Sequence, residues 1–339
     1  MSQLLKNKIK FSILIILIFF LTFFAFSSCI FSNLKQYDFE FIKFSTYLSI
    51  KIISNEPKSK IYSELIKILD EAQQIADKLD FYKIGNLLSF INEGKEVEID
   101  DDILNFINLN LLYIKKTNGY FNPFIGNLTK LYNNFEQGSS PPEKNKLDEE
   151  IKKIKNTNLI IKNNENGNNT IIKIGNSFLN FGGSLKGYLI DIIYEKLKKI
   201  NVDSFLINCG GDLRVYSKNE KIWNIGIQDP YDKSKIFTKI QLKNGSIVTS
   251  GNYERFFIYN GKRYFHILNP FTGLPDSDLD SITIFDESCC VADILSTGIF
   301  AMGKKLAIEF IKKNNIKALV IWKEDGETKS YNSLNFDTK

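Results

Sequence analysis

His266 is the side chain best suited to acid–base chemistry near neutral pH, because it is the only histidine in the chain and no other side chain has an unperturbed pKa in that range. It lies in Arg263-Tyr-Phe-His-Ile-Leu-Asn-Pro-Phe-Thr-Gly273, after a polar stretch, Thr249-Ser-Gly-Asn-Tyr-Glu-Arg255. Asn260-Gly261 between them is a strong type I′ hairpin signal and predicts that His266 lies on the return strand. Two interpretations remain open: a general base, or a histidine whose hydrogen bonds are satisfied within a hairpin.

Two glycine-containing loops could bring backbone amides close to a phosphate. Gly182-Gly183-Ser184 precedes a predicted helix, so its unpaired N–H groups and the helix dipole favour an anion, to which Lys186 adds a positive charge. Asn208-Cys-Gly-Gly-Asp212 is a similar loop between two predicted strands. Neither loop has the spacing of a P-loop or a dinucleotide fingerprint, and each is also compatible with an ordinary turn.

Asp293 and Thr297 could hold a hard cation. They are four residues apart in a predicted helix over residues 290–302, so they project from the same face. A carboxylate and a hydroxyl suit Mg²⁺, which prefers oxygen ligands and retains water molecules. The alternative is an aspartate that stabilises the N-terminus of the helix and a threonine packed in the core.

The segments that position these residues alternate between strand and helix patterns. A polar stretch over residues 136–170, with Pro141-Pro142 inside it, predicts a variable connection. Apolar periodicity predicts strands over residues 44–53, 158–161, 178–181, 205–207, 213–216, 223–227, 247–250 and 281–285, and helices over residues 61–79, 103–114, 146–155, 185–200 and 290–302.

The length and composition of the chain indicate a globular protein. Its 339 residues allow one large domain or two modest ones, and the 43% of hydrophobic residues supports a core. The net charge of +5 arises from 44 basic and 39 acidic residues spread along the chain, which argues against nucleic-acid binding. Cys209, Cys289 and Cys290 form neither a disulfide framework nor a zinc-site spacing, and they are predicted to be buried thiols.

The N-terminus predicts export. Basic residues are followed by an apolar run over residues 11–26 and then by Phe26-Ser-Ser-Cys29, which resembles a bacterial lipoprotein cleavage site. We therefore expect residues 1–28 to be a signal peptide, Cys29 to carry a lipid, and residues 29–43 to be a tether that holds the body of the protein to a membrane outside the cytoplasm. The apolar run is short for a bilayer span, which needs ~20 residues, but an uncleaved membrane anchor remains the alternative.

Further motifs follow these in a fixed order over residues 44–321. They are Phe44-Ser-Thr46, Asn86-Leu-Leu-Ser-Phe-Ile-Asn92, Thr117-Asn-Gly-Tyr-Phe-Asn-Pro123, Gly182-Gly-Ser-Leu-Lys-Gly187 with Asp191, Gly210-Gly-Asp212 with Trp223 and Asp229-Pro230, Thr249-Ser-Gly-Asn-Tyr-Glu-Arg255, His266-Ile-Leu-Asn-Pro-Phe-Thr-Gly273, and Ala292-Asp293 with Thr297. Together they resemble the ApbE-type FAD:protein FMN transferases.

The resemblance implies an α+β fold over residues 44–335, with two mixed α/β lobes and the active site in the cleft between them. It implies transfer of FMN from FAD to a Ser or Thr hydroxyl of an exported acceptor protein, with Mg²⁺ or Mn²⁺ as cofactor and AMP as the other product. His266 would be the base, Asp293, Thr297 and a main-chain carbonyl near Gly183 would bind the metal, and Thr46, Asn92, Lys186, Asp191, Gly210, Gly211, Ser250 and Thr272 would contact FAD.

The chain departs from the family pattern at several positions. Asn269 and Asn122 replace the usual Asp, Phe271 stands where Arg or Lys is common, and Phe44-Ser45 replace Met-Gly. Loss of charge at Asn269 could weaken the orientation of His266 or a metal contact. Two other functions therefore stay open: a Mg²⁺-dependent FAD pyrophosphatase that gives FMN and AMP, and a lipoprotein that binds FAD without turnover.

Overall fold

The computed structural model describes residues 34–132, 135–163 and 169–333, within which every strand pairing is antiparallel. The strands are β1 Lys35–Lys43, β2 Thr46–Ser54, β3 Val97–Ile99, β4 Asn158–Asn163, β5 Asn169–Ile174, β6 Ser204–Cys209, β7 Asp212–Ser217, β8 Trp223–Gln228, β9 Ile236–Leu242, β10 Gly245–Gly251, β11 Phe256–Tyr259, β12 Lys262–Phe265, β13 Ser281–Asp286, β14 Lys317–Glu324 and β15 Glu327–Asn332. The helices are α1 Lys58–Leu79, α2 Leu87–Asn92, α3 Asp101–Lys116, α4 Gly126–Leu131, α5 Lys144–Lys155, α6 Leu185–Leu197, α7 Cys289–Ala301 and α8 Lys304–Lys313. The predicted signal peptide and Cys29 lie outside the described residues.

The predicted tether is wrong for residues 35–43, which form β1 and pair with β2 along its whole length. Tyr37, Phe39 and Phe41 recur at every second position, so they lie on one face of the strand and pack against the core. The connecting residues Phe44 and Ser45 both have positive φ, at 54° and 58°. The amino-acid sequence does not indicate this hairpin, because its two-residue turn lacks the Asn or Gly that usually marks such a turn.

The first lobe is built on an eight-stranded sheet in the order β1-β2-β6-β7-β10-β13-β14-β15. Helices α1, α6, α7 and α8 pack on one face, and the β8–β9 ribbon packs on the other. Side chains of successive residues on β10 point to opposite faces of the sheet: Val248 belongs to the core under the helices, and Ile247 belongs to the core under the ribbon. Both faces of the central strands β6, β7, β10 and β13 are therefore buried, whereas the edge strands β1 and β15 are largely exposed.

The second lobe comprises α2 to α5 and a small sheet in the order β3-β5-β4 around its own apolar core. Helix α7 contributes to both cores, since Ile294 packs in the second lobe and Ile299 packs in the first. A Cβ on Gly298 would lie 2.8 Å from Cβ of Phe121, so α7 contacts the second lobe closely. The predicted α+β fold with two mixed lobes is confirmed. Among the described helices, none is both long and apolar enough to cross a membrane.

The strand predicted over residues 178–181 does not form. Leu179 N donates to Oδ1 of Asn92 at 2.7 Å, and Nδ2 of Asn92 donates to Leu179 O at 3.0 Å. The side-chain amide of Asn92 therefore pairs with both backbone groups of Leu179, which a neighbouring strand would otherwise bind. The segment is buried and apolar like a strand, which explains the sequence signal.

Candidate active site

A cleft of about 780 Å³ collects most of the predicted site residues. The β1–β2 turn, the end of α1, the loop before α6, the β6–β7 turn, β10 and α7 all contribute to its walls. The predicted residues that line it are Thr46, Lys186, Gly210, Gly211, Ser250, His266, Asp293 and Thr297. Sequence motifs separated by up to 250 positions thus converge on one place.

His266 follows the β11–β12 hairpin directly and lies one residue beyond β12, not within the strand as predicted. Its backbone N–H donates to Arg255 O at 3.1 Å, and its ring Nδ1 lies 3.3 Å from the same oxygen. Because a carbonyl oxygen only accepts, Nδ1 carries the proton and the lone pair of Nε2 remains available. Burial, aided by the charges of Arg255 and Lys186, lowers the pKa of His266 to about 4, so the imidazole is neutral at pH 7.

Lys186 and two buried carboxylates form an ionic cluster in the cleft. Nζ of Lys186 lies 3.2 Å from Oδ2 of Asp212, and Oδ2 of Asp293 accepts from Gly187 N at 3.1 Å. Burial would lower the pKa of Lys186, but the charges of Asp212 and Asp293 outweigh it and raise this pKa, so the ammonium persists. Burial also raises the pKa of Asp293 to about 7, and the charge of Asp212 adds to the shift. Two carboxylates against one ammonium favour a bound cation.

The predicted cation ligands meet where the loop before α6 contacts α7. A Cβ on Gly183 would lie 3.0 Å from Oγ1 and 2.9 Å from Cγ2 of Thr297, so the loop backbone directly abuts this side chain. Asp293 lies one helical turn earlier and is only 5% exposed. Carboxylate, hydroxyl and main-chain carbonyl oxygens fit a hard cation. The described part of the chain contains no cluster of three or more His, Cys, Asp or Glu side chains that could hold a metal.

The second glycine loop contacts the β1–β2 turn. Gly210 and Gly211 have φ of 58° and 97°, which favours glycine at both positions. Gly210 N donates to Tyr47 O at 2.9 Å, and a Cβ on Gly210 would lie 2.6 Å from Oγ1 of Thr46. The loop and Thr46 therefore form a continuous wall of backbone and hydroxyl groups. On β10, Ser250 Oγ donates to Ser296 Oγ of α7 at 2.9 Å.

Asn92 and Asp191 were predicted to contact FAD, but neither lines the cleft. The amide of Asn92 is used on Leu179. The carboxylate of Asp191 accepts from Arg214, from Ser288 Oγ at 2.6 Å and from the backbone N–H groups that open α7. Each residue supports an element that borders the cleft: Asn92 holds the segment before the Gly182 loop, and Asp191 holds the start of the helix that carries Asp293.

Thr272 does not line the cleft either. Its hydroxyl donates to Oδ2 of Asp276 at 2.8 Å and accepts from Leu274 N. Asn269 stabilises the same turn: Oδ1 accepts from Phe271 N at 2.9 Å and Nδ2 donates to Asp276 at 3.2 Å. Phe271 packs edge-on against Tyr120 at a ring distance of 4.9 Å. This loop therefore shapes the chain after His266 and supplies no direct contact to the cleft.

Several residues that line the cleft were not among the predicted site residues. Phe81 and Tyr82 follow the C-terminus of α1, where no periodic pattern marks them, and their rings pack edge to face at 5.2 Å. Gln228, Tyr253 and Arg255 also line it. Arg255 belongs to a motif that sequence analysis had singled out, and its position just before the hairpin that leads to His266 was the available signal.

A neutral histidine, a lysine beside buried carboxylates, an oxygen-donor set for a cation and two glycine loops face one cleft. This combination defines an enzyme that acts on a phosphate-containing substrate. The chain belongs to the ApbE family, whose model matches residues 44–320. It is 26% identical over 300 residues to the FAD:protein FMN transferase of Treponema pallidum, and this alignment covers 83% of each chain.

Solved structures share the fold. The crystal structure of the ApbE protein from Thermotoga maritima is 27% identical and covers 87% of this chain and 96% of its own, with a TM-score of 0.74. The flavin transferase ApbE from Vibrio cholerae is 24% identical and covers 89% of this chain and 99% of its own, with a TM-score of 0.76. The two-lobed architecture is thus common to all three proteins.

Proposed function

We propose that this protein is a FAD:protein FMN transferase that moves FMN from FAD to a Ser or Thr hydroxyl of an exported acceptor protein and releases AMP. Family membership and the names of its relatives support the reaction class. The observation that carries the proposal is the state of His266: Nδ1 is held by Arg255 O, while Nε2 has no hydrogen-bond partner within the described residues and belongs to a side chain that lines the cleft.

The reaction requires a base because a Ser or Thr hydroxyl is a poor nucleophile. The acceptor oxygen forms a bond to the phosphorus on the FMN side, the anhydride P–O bond breaks, and AMP leaves with the electron pair of that bond. Nε2 of His266 receives the hydroxyl proton. A positioned base contributes about 10²–10⁴-fold to such a step. The low pKa of the free site keeps the imidazole neutral, and the negative phosphates of bound FAD would raise that pKa towards neutrality.

Lys186 supplies positive charge for the pyrophosphate. Its side chain lines the cleft and is about one-third exposed, and its ammonium keeps its proton because Asp212 lies beside it. N–H groups of the Gly182 and Gly210 loops add uncharged donors. A divalent cation bound by Asp293, Thr297 and the Gly183 carbonyl would stabilise negative charge on the phosphate oxygens, and either Mg²⁺ or Mn²⁺ suits this donor set.

The test uses the full chain purified in mild detergent and mixed with FAD, Mg²⁺ and an exported FMN-binding domain that carries a Ser/Thr acceptor motif. The intact mass of the acceptor and the release of AMP are followed together. A mass gain equal to FMN less water, matched by AMP, supports the transferase; a Ser/Thr→Ala acceptor is the control. Release of AMP and free FMN without a mass gain of the acceptor would indicate a pyrophosphatase instead of a transferase. Absence of AMP would indicate a lipoprotein that binds FAD without turnover.

We also propose that the body of the protein lies outside the cytoplasm and is held to a membrane by a lipid on Cys29. The positive residues, the apolar run and the small residues before Cys29 support this location. Metabolic labelling with a palmitate analogue should tag the wild-type chain and fail to tag Cys29→Ala. Equal labelling of the two chains would exclude Cys29 as the lipid attachment site.

A further inference from the structure

The chain contains 41 lysines but only three arginines, Arg214, Arg255 and Arg263. Lysine and arginine carry the same charge, but only the planar guanidinium offers paired N–H donors and a flat face for stacking. In a chain so rich in lysine, each arginine position is therefore informative about a need for that geometry.

Two of the arginines have structural roles that use the guanidinium. Arg214 pairs with Asp191 and lies 3.5 Å from the ring centroid of Tyr194. Arg263 donates to Oδ1 of Asn252 at 2.9 Å and lies 4.5 Å from the ring centroid of Phe256. Neither residue lines the cleft. The guanidinium groups of Arg214 and Arg263 therefore both have partners within the folded protein.

Arg255 differs from the other two. It lines the cleft and is exposed, and within residues 34–132, 135–163 and 169–333 its guanidinium makes no hydrogen bond, ion pair or aromatic contact. Its main chain does have a role, because its carbonyl oxygen binds both the backbone N–H and Nδ1 of His266. The charge of Arg255 also contributes to the lowered pKa of His266. Glu254, the adjacent acidic residue, lines the cleft as well.

We propose that the guanidinium of Arg255 binds non-bridging oxygens of the phosphoryl group that is transferred, on the FMN side of the pyrophosphate. The inference rests on the proposed function. The base must lie close to the hydroxyl that attacks this phosphorus, and Arg255 O fixes His266 directly beside Arg255. Guanidinium and phosphate pair through two parallel hydrogen bonds, which suits a donor without an internal partner. Arg255 neither gains nor loses a proton in the step; the hydroxyl proton goes to His266 and AMP leaves.

The experiment compares Arg255→Gln and Arg255→Lys with wild type, and Arg263→Lys is the matched control because its side chain lies outside the cleft. Full chains in mild detergent are titrated with FMN and, separately, with AMP, both in the presence of Mg²⁺. We expect Arg255→Gln to weaken FMN binding about tenfold or more, because it removes hydrogen bonds to a charged group, and to leave AMP binding within about twofold. Arg255→Lys should fall between wild type and Arg255→Gln, since it keeps the charge and loses the paired donors.

Arg263→Lys should bind both nucleotides like wild type, and thermal unfolding should be the same for wild type and the two Arg255 variants. Weakened AMP binding with unchanged FMN binding in Arg255→Gln would overturn the assignment, as would unchanged binding of both. Wild-type chain that transfers no FMN to any acceptor would overturn the proposed function instead. These failures are separable, because nucleotide affinities are measured without turnover.

Discussion

Replacement of Gly183 by alanine should destroy the cation site without unfolding the protein. The position does not have the left-handed backbone conformation, so alanine adds no backbone strain and acts only through contact. Its Cβ would lie 2.9 Å from Cγ2 of Thr297, and carbon atoms normally approach to ~3.5–4.0 Å, so the loop and the side chain must separate by about 0.6 Å or more. Alternatively, Thr297 rotates about χ1 and moves its hydroxyl.

Either response disturbs the ligand set, because metal–ligand distances tolerate only about 0.2 Å. We expect Mn²⁺ affinity, measured from the free-ion signal in electron paramagnetic resonance, to fall about 10–100-fold. The Mg²⁺ concentration that half-activates AMP release should rise to match. Gly182→Ala is the control, since its Cβ would meet only the side chain of Asn180, at 3.1 Å, and no atom of α7. Wild-type Mn²⁺ affinity in a normally folded Gly183→Ala chain would refute the reasoning.

Three further outcomes are expected. His266→Gln should lower FMN transfer by about 10²–10⁴-fold and keep FAD binding, because the amide is polar but is not a base; unchanged transfer, measured by acceptor mass, would remove His266 from the mechanism. Burial lowers the folded-state pKa of His266 from 6.5 to about 4, so the unfolded chain binds the proton first as pH falls and the free energy of unfolding declines between pH 6.5 and 4. Urea unfolding should show a smaller decline in His266→Gln than in wild type. Equal declines in the two chains would contradict the lowered pKa. Asp191→Asn should cost about 2 kcal/mol or more in urea unfolding, because an amide cannot accept the three hydrogen bonds at the start of α7 together with the fourth from Arg214 of β7. Asp70→Asn, which breaks an exposed pair with Lys43, should cost under about 1 kcal/mol.

The sequence predicted the elements with strong periodicity and the residues whose chemistry is distinctive. The helix predicted over residues 61–79 is α1, and the helix that carries Asp293 is α7, because an apolar face every three to four residues has few structural alternatives. His266, Lys186 and Asp293 all face the cleft. Motif order alone indicated that they belong together, but it could not show which loop contacts which helix, because that depends on packing between distant segments.

The wrong strand prediction over residues 178–181 and the position of Asn92 and Asp191 outside the cleft have a related physical cause. Asn92 and Asp191 are buried or half-buried polar residues that satisfy backbone groups, and a motif does not distinguish such a support from a ligand contact. Residues 178–181 have the composition of a strand, but the backbone groups of Leu179 pair with the amide side chain of Asn92. Those of Phe178 and Asn180 pair with Asn127, Gly126 and Pro123, so no neighbouring strand is involved. Arg255 was not predicted as a site residue, because nothing in its local sequence reveals that its guanidinium lacks a partner within the folded protein.

The departures from the family pattern do not remove the chemistry of the cleft. Asn269 donates an amide hydrogen to Asp276, a bond that an aspartate at position 269 could not make; two carboxylates there would repel each other. Phe271 packs on Tyr120, and its ring lies 3.0 Å from the Cβ position of Gly119, outside the cleft. Lys186 and Arg255 line the cleft and Phe271 does not, so Arg255→Gln should affect nucleotide binding more than any substitution at Phe271.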